Sequence, residues 1–307
     1  MAIRSIYVVS DDAAALNELV CGAKAMAEKV TAVVFGDEAA AQAAAGCGAD
    51  AILYAPVSEE GAPEDYAKAI AAEVKKDDSA VVFVSNTIRG RALAGKIGVL
   101  LDTAVLTNPA EIAEENGVLV CGRTVYGGMA VRKTSVTKAY AVVALNSGSF
   151  ELTELAPCTT IAALPGEPEG TIKRVGRTTK QEGSVNLAVA KRIVDVGRGL
   201  AAEEDLEMVN KLAAVLGAEV GCSRPVAENN KWLPKASYLG ITGTVVKPEV
   251  IFVMGCSGQV QHIGGINKSK VIVAVNKDKG APIFKNCDFG LVGDMYKIVP
   301  ALIEKLS

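Results

Sequence analysis

The feature that most limits the fold of this chain is a repeated alternation between short β-branched runs and alanine-rich segments long enough for a helix. Early in the chain the runs are SIYVVS, TAVVFG, AILYAP and AVVFVS, and later they are RIVDVG, AEVGCS, EVIFVMG, KVIVAVN and FGLVG. Strands that alternate with helices at this spacing form βαβ units, whose parallel sheet is covered by helices on both faces. The sequence therefore predicts an α/β fold with two three-layer αβα domains, the second a doubly wound parallel sheet.

The segments between these runs have the periodicity of helices, apart from one long polar stretch, RPVAENNKWLPKASYLGITG, which is predicted to be a loop. The predicted helices are AALNELVCGAKAMAEKV, a segment from Asp37, one near Glu64 to Lys75, RALAGKIGVLL, Ala202 to Leu216 and Asp294 to Leu306.

Two other stretches break the alternation. Residues 117–145 contain GVLVCGRTVYGG and TSVTKAYAVVAL, which favour two or three consecutive strands that extend the first sheet as a β-rich edge. From Pro157 to Gln181 the chain has no sustained period and three prolines, as is typical of a linker or crossing segment. Because 307 residues exceed the roughly 250 to 300 at which one core stops growing, we expect two domains, residues 1–180 and 181–307.

Composition argues against several classes of partner and location. With 32 basic and 35 acidic side chains the net charge is −3, so neither a nucleic-acid surface nor a basic membrane patch is indicated. The chain has no run of about 18 apolar residues and no pattern of a signal peptide, so we expect a cytoplasmic protein without membrane insertion. The seven cysteines form no CxxC pair, which indicates reduced structural thiols without a metal or a disulfide.

Polar side chains follow all five strands of the predicted second sheet. Taken singly each has an ordinary explanation: a helix cap for Ser223 or Asp294, a surface ion pair for the arginines, and a satisfied core position for the only histidine. Because the carboxyl ends of parallel strands meet at one edge, where ligands bind in such sheets, one elongated ligand explains all five together. The residues concerned are Arg198 between two glycines, Ser223 with Arg224, the segment Ser257–His262, Asn276 and Asp294.

Familiar nucleotide and hydrolase motifs do not account for this edge. GRGLAAEEDL lacks the third glycine of G-x-G-x-x-G, and no G-x-x-x-x-G-K-[ST] is present. MGCSGQ does not match the nucleophile elbow G-x-S-x-G, because the one glycine after Ser257 follows it directly rather than two positions later, and His262 lies too near Ser257 in the chain for a triad partner.

The ordered runs VGRG, CSRPVAENNKWLP, YLGITG, KPE, GCSGQVQHIGGI, AVNKDKGAPIF and DFGLVGD resemble the FAD-binding signature of electron transfer flavoprotein α subunits. Within that family the chain looks most like the FixB-type bacterial branch, and the resemblance extends over nearly its whole length. It implies that FAD lies across the second domain. The residues implied to line it are Arg198, Ser223, Arg224, Leu239, Gly240, Ile241, Thr242, Ser257, Gly258, Gln259, Val260, Gln261, His262, Asn276, Asp294 and Met295.

The resemblance also implies distinct roles for these residues. The Thr242 hydroxyl can donate to flavin N5, and Arg224 and His262 can place positive charge near N1 and the C2 carbonyl, where a one-electron-reduced flavin gathers negative charge. The backbone after Ser257 suits the pyrophosphate, and Asn276 and Asp294 suit ribose or adenine.

Two positions depart from the family pattern. Ile241 stands where many relatives have glutamine, so one polar contact to the cofactor is in doubt. Cys256 stands at a position that is commonly aliphatic and is interpreted as a small apolar replacement rather than a reactive thiol.

The function that the resemblance implies is electron carriage rather than catalysis on a metabolite. The expected partners are an electron transfer flavoprotein β subunit, an acyl-CoA dehydrogenase-like donor, and a quinone oxidoreductase or ferredoxin-type acceptor. The first domain is then a scaffold that docks the partner subunit, and Arg89 and Arg91 are more simply a solvated helix start than an anion site. The alternatives are a nucleotide-binding sensor without redox turnover and a sirtuin-like NAD-dependent deacetylase.

Overall fold

The computed structural model describes residues 3–126, 129–170, 172–176, 178 and 186–306. The chain divides into two compact units, Met1–Arg177 and Thr178–Ser307. The boundary expected between residues 180 and 181 lies outside the described residues. Each unit contains its own parallel sheet, which confirms the predicted α/β class with two αβα domains.

The first unit contains a seven-stranded sheet with the strand order β10-β3-β2-β1-β4-β9-β5, in which every pairing is parallel. Its strands are β1 (Ile3–Ser10), β2 (Ala27–Phe35), β3 (Ala51–Ala55), β4 (Ala80–Ser85), β5 (Val105–Thr107), β9 (Tyr140–Leu145) and β10 (Ile161–Ala163). Its helices are α1 (Ala13–Lys24), α2 (Glu38–Ala43), α3 (Ala67–Val74) and α4 (Ile88–Leu100).

The central strands form because their apolar runs can be buried from both sides. All six residues of β4 are buried, as expected for a parallel strand between two layers of helices. One core cluster includes Leu19 from α1, and another includes Ile70 and Leu93 from α3 and α4. Side-chain caps set helix starts, since the Asp12 carboxylate accepts from the amide of Ala14 at 2.8 Å at the start of α1.

The prediction that residues 117–145 extend this sheet as a β-rich edge is wrong for all but the last strand of that region. Three strands, β6 (Glu111–Glu115), β7 (Val118–Val125) and β8 (Ala130–Ser135), form a separate antiparallel sheet, and only β9 enters the large sheet, between β4 and β5. Five of the six residues of β8 are exposed, so this strand has no face to bury between two layers of helices. The small sheet is anchored from β7, where Leu119 and Cys121 are buried in the first core.

The prediction of a linker from Pro157 to Gln181 is wrong at its start. Strand β10 pairs in parallel with β3 at the edge of the large sheet. Cys158 and Leu164, which flank β10, are buried in the two cores of the first unit. Three residues are too few to carry a recognisable period, so this strand depends on its neighbour rather than on local pattern.

The second unit is a five-stranded parallel sheet with the order β12-β11-β13-β14-β15. Because strand order reverses beside β11, the crevice between the carboxyl ends of β11 and β13 is the point at which doubly wound sheets bind ligands. Its strands are β11 (Arg192–Val196), β12 (Glu219–Cys222), β13 (Val250–Met254), β14 (Val271–Asn276) and β15 (Phe289–Val292), and its helices are α5 (Leu206–Leu216), α6 (Val260–Ile266) and α7 (Met295–Leu306).

Some predicted element bounds differ from the structure. The helix predicted from Ala202 begins as α5 at Leu206, because the residues before it form turns closed by the Asp205 carboxylate, which accepts from the amide of Ala202 at 3.0 Å. The segment predicted from Glu64 begins as a turn of 3-10 helix, Pro63–Tyr66, before α3. The long polar loop contains a short π-helix, Pro225–Asn230. No helix among the described residues is long and apolar enough to cross a bilayer.

Candidate functional site

A cavity of about 840 Å³ opens at the carboxyl edge of the second sheet. It receives side chains or backbone from the loop after every one of the five strands, as the strand-end pattern predicted. This volume lies within the roughly 300–1,000 Å³ that is usual for small-molecule and cofactor sites. Its walls are formed by Arg198, Gly199, Ala201, Ser223, Arg224, Pro225, Tyr238, Thr242, Gly255, Cys256, Ser257, Gly258, Gln259, Gln261, His262, Val275, Asn276, Lys277, Gly293, Asp294, Met295 and Tyr296.

Glycines allow the loops at the base of the cavity to approach each other closely. The amide of Gly199 donates to the carbonyl of Gly255 at 2.9 Å, and a Cβ on Gly199 would come within 2.7 Å of the Gly255 Cα. Gly258 has φ +84°, and a Cβ there would lie 2.3 Å from the backbone nitrogen of Ile283. The sequence can therefore place bare backbone against a ligand at the switch point of the sheet.

Twelve of the sixteen residues proposed for the cofactor lie in the cavity wall, and four do not. Leu239 is fully buried and contributes its carbonyl to the site beneath the wall. The side chains of Ile241 and Val260 are about half exposed, 53% and 51%, outside the wall, and Gly240 packs its backbone against Gly265. Contact with the cofactor stays a prediction for all sixteen residues.

His262, the only histidine, is buried at the cavity wall with both ring nitrogens engaged. Its Nε2 lies 2.7 Å from the Oδ2 of Asp195, and its Nδ1 lies 3.1 Å from the carbonyl oxygen of Leu239. Burial works against the charged ring, but the charge and hydrogen bond of Asp195 and the bond to Leu239 outweigh it and raise the pKa of His262.

Asp195 is a site residue that sequence reasoning missed. It is completely buried in β11, its Oδ2 also accepts from the Cys256 thiol at 3.5 Å, and its Oδ1 has no hydrogen-bond partner in the part of the chain that the structure describes. The interpretation of Cys256 as a small apolar replacement is therefore incomplete. Its thiol is hydrogen bonded, although burial raises its pKa well above the ordinary value and keeps it protonated. The available signal was a single carboxylate in the otherwise apolar strand RIVDV.

The hydroxyl of Ser223 is also buried at the wall without a partner among the described residues. Nearby, the guanidinium of Arg224 is bonded through Nε to Glu228 at 2.6 Å. This is the surface ion pair given above as the ordinary explanation for an arginine at this position. Its side chain is 64% exposed, and the bond to Glu228 uses one edge of the guanidinium fork, which leaves two nitrogens able to face a ligand.

Three other predicted residues are held by local hydrogen bonds. The hydroxyl of Thr242 lies 3.0 Å from that of Tyr238. Asn276 donates to the carbonyl of Cys256 at 2.8 Å, which ties the ends of β13 and β14 together. Asp294 accepts from the amide of Tyr296 at 3.0 Å, so the cap expected at the start of α7 is present even though Asp294 also lines the cavity.

Comparison with known proteins places the chain in a family. Residues 9–178 match the electron transfer flavoprotein domain, and residues 186–267 match the electron transfer flavoprotein FAD-binding domain. The chain belongs to the electron transfer flavoprotein family. Its cofactor is FAD.

Similar proteins match this chain almost end to end. YdiR of Escherichia coli (strain K12), whose name describes a subunit of an electron transfer flavoprotein, is 40% identical over 315 residues, which cover 99% of each chain. The protein FixB of Salmonella typhimurium is 38% identical over 313 residues, covering 99% of this chain and 98% of its own. FixB of Escherichia coli O81 is 37% identical, with 98% of each chain covered.

The residues of the cavity fit FAD. The buried hydroxyl of Ser223 has no partner among the described residues and is left for a ligand or an ordered water, and at Gly258 the cavity wall is bare backbone. Arg198 and Lys277, the latter missed in the sequence analysis, line the cavity and offer the positive charge that a phosphate-bearing ligand requires. In the first unit Arg89 pairs with Glu64 at 3.2 Å, in line with an ordinary surface role.

Proposed function

We propose that this chain is the FAD-binding α subunit of a heterodimeric electron transfer flavoprotein. It passes electrons one at a time from an acyl-CoA dehydrogenase-type flavoenzyme to a quinone oxidoreductase or ferredoxin-type acceptor. The observation that carries the proposal is the cavity itself: five strand ends in a chain of this family converge on one partly basic site, where a buried hydroxyl has no partner among the described residues.

FAD, when bound, supplies chemistry in one- or two-electron steps, and the chain supplies binding and electrostatics. Ser223 and the backbone near Gly258 would bind and orient the cofactor, and Arg198 would face its phosphates. Arg224 and the buried His262 bring positive charge to the cavity wall, where it favours a ligand that gains negative charge. Thr242, positioned by Tyr238, offers a hydroxyl that can donate or accept.

The site supports a carrier rather than an enzyme that acts on a metabolite. General acid–base catalysis requires a titrating group within reach of the substrate. The only imidazole of the chain has Asp195 and Leu239 on its two nitrogens, and the Cys256 thiol is held protonated by burial. These engaged groups argue against the deacetylase alternative, while the sensor alternative differs only in lacking redox turnover.

A β subunit is the partner that the family implies. In support, the edge strand β15 has all four residues exposed, including Phe289 at 63% and Val292 at 60%. An apolar, unpaired edge is a hazard for a chain that stays alone in solution. We also place the protein in the cytoplasm, since its seven cysteines are free and six of them are buried.

Coexpression of this chain with its β subunit tests the proposal. We expect a yellow heterodimer that takes up electrons in two resolved one-electron steps, and flavin counting then distinguishes one FAD from two. A colourless preparation that binds only AMP or ATP would instead establish the sensor alternative. Reduction of bound FAD by an acyl-CoA dehydrogenase with its substrate, and no reduction by the acyl-CoA alone, identifies the donor class.

A further inference from the structure

We propose that Asp195 is a positioning residue that holds His262 protonated and its ring fixed, so that the buried pair presents its positive end to the cavity. Any effect on the bound cofactor rests on the function proposed above. The protonation of the ring does not, because it follows from contacts within the chain. The structure places the two residues together although 67 positions separate them.

Hydrogen-bond chemistry at the two ring nitrogens carries the proposal. A backbone carbonyl can only accept, so the Nδ1 that lies 3.1 Å from Leu239 bears a proton. The Nε2 lies 2.7 Å from a carboxylate oxygen, which accepts as well when it is ionised. With Asp195 ionised, the imidazole has acceptors on both sides, so it carries both protons and is a cation. The short distance to Asp195 is that of a charge-assisted bond.

The other titratable groups around the ring do not compete for this proton. The Cys256 thiol, from the loop after β13, donates to the same Asp195 oxygen. Cys222 at the end of β12 lies beside this cluster, and burial raises its pKa to about 12. Both thiols therefore stay protonated near neutral pH, and Tyr238, another residue of the cavity wall, is hydrogen bonded to Thr242. Among these groups, the charged pair is therefore the Asp195 carboxylate and the His262 ring.

Asp195 and His262 lie at different depths from the cavity, so the dipole between them points in a definite direction. His262 forms part of the wall, whereas Asp195 lies behind it in the strand and is completely buried. The pair is therefore a dipole with its positive end towards the ligand. In this arrangement His262 acts through charge rather than as a hydrogen-bond donor to the cofactor, because both of its N–H groups are already used.

Histidine NMR on the full-length chain tests the inference directly. With one histidine in 307 residues, labelling with ¹⁵N-histidine and purifying through a histidine-free tag yields a single pair of ring signals. We expect both nitrogens to be protonated at pH 7 and the midpoint of titration to lie above about 6.5, the ordinary pKa of histidine. In Asp195→Asn, which keeps the shape of the side chain, we expect a neutral ring whose pKa falls below about 6.5, because burial is then opposed only by the bond to Leu239.

Cys256→Ala is the matched control, since it removes the other hydrogen bond to Asp195 and leaves the carboxylate in place. We expect this variant to keep a doubly protonated ring at pH 7. A neutral ring in the unmodified chain at pH 7 overturns the proposal, even if Asp195→Asn fails to fold. An unchanged ring titration in a folded Asp195→Asn also overturns it.

A second measurement separates this inference from the proposed function. If the heterodimer binds FAD, we expect Asp195→Asn to shift its reduction potential downwards, because the positive end of the dipole is lost. If the ring is protonated but the chain never binds flavin, the proposed function is contradicted and the assignment of the Asp195–His262 pair still holds. An unmoved potential in Asp195→Asn, with the ring shown to be neutral, would refute the directed effect on the cofactor.

Discussion

Ser223 illustrates how a single polar atom can indicate a ligand. Its hydroxyl is buried at the cavity wall and has no hydrogen-bond partner among the described residues. A buried hydroxyl without a partner destabilises the folded chain by about 1 to 3 kcal/mol, so a fold retains one mainly where a ligand or an ordered water satisfies it.

Replacing Ser223 with alanine is expected to weaken FAD binding without weakening the ligand-free fold. The loss of one neutral hydrogen bond corresponds to about 0.5–1.5 kcal/mol, or roughly a 2- to 10-fold rise in Kd. Flavin fluorescence titration measures the affinity, and urea unfolding measures the ligand-free stability. Ser79→Ala, at an exposed position outside the cavity, is the control. Equal FAD affinity in the two variants would contradict the role given to Ser223.

The His262–Asp195 pair predicts how stability depends on pH. Because the pKa of His262 is raised in the folded state, the stabilisation is complete below the ordinary value of about 6.5 and is lost as the pH rises through the folded pKa. We therefore expect the free energy of unfolding to fall between pH 6.5 and 8, by at most about 1.4 kcal/mol per pH unit for one proton.

Urea unfolding across this range measures the effect, and Asp195→Asn should flatten it. Keeping the series below about pH 8 avoids the buried cysteines, whose ionisation in the unfolded chain near pH 8.5 would add a second loss of stability. A stability that rises with pH over the same interval would show that the pair does not hold the proton in the folded state.

At the scale of elements, the turn between β13 and α6 depends on glycine. Gly258 adopts φ +84°, and an added Cβ would lie 2.3 Å from the backbone nitrogen of Ile283. Since backbone atoms cannot swing away as the end of a side chain can, a substitution must move the loop that forms part of the cavity wall.

Gly258→Ala is expected to destabilise the fold by more than about 1 kcal/mol and to weaken FAD binding, because strain and collision add at one position. Gly95→Ala is the matched control. Gly95 is exposed inside α4 with no atom within 4 Å of an added Cβ, so alanine should stabilise the chain by up to about 1 kcal/mol. Chemical unfolding and flavin titration of both variants measure the contrast. A neutral Gly258→Ala would mean that the loop is free to shift.

At the scale of the whole molecule, every residue of the cavity wall belongs to one unit. The wall runs from Arg198 to Tyr296, within Thr178–Ser307. The first unit has a core of its own, anchored in part by Leu119 from the small antiparallel sheet. Binding of FAD should therefore depend on the packing of the second unit alone.

Two core truncations compare the units in the full chain. Leu119→Ala and Leu212→Ala each remove a buried side chain, 3% and 0% exposed, from different cores. Each should lower stability by about 2–5 kcal/mol. We expect only Leu212→Ala, which loosens α5 against the sheet of the second unit, to weaken FAD binding as well. An equal loss of flavin affinity in Leu119→Ala would show that the first unit takes part in the site.

Much of this architecture could be predicted because it is encoded locally. Apolar runs such as AVVFVS are buried on both faces in β4, and the polar residues after each run meet at one edge because all strands of a parallel sheet point the same way. The motifs after β11 to β15 carried the family resemblance for the same reason, since each is a short contiguous segment that forms the loop at a strand end.

The contacts that could not be predicted join residues far apart in sequence. Local pattern predicted strands in the region of β7 to β9, but only the tertiary structure shows that β8, exposed on both faces, stays out of the large sheet while β9 enters it. It likewise shows that Asp195, a single carboxylate in an apolar strand, is hydrogen bonded to His262, 67 positions later in the chain. Periodicity determines which face of an element is apolar, whereas strand order and close packing determine which buried polar groups meet, and no single segment contains that information.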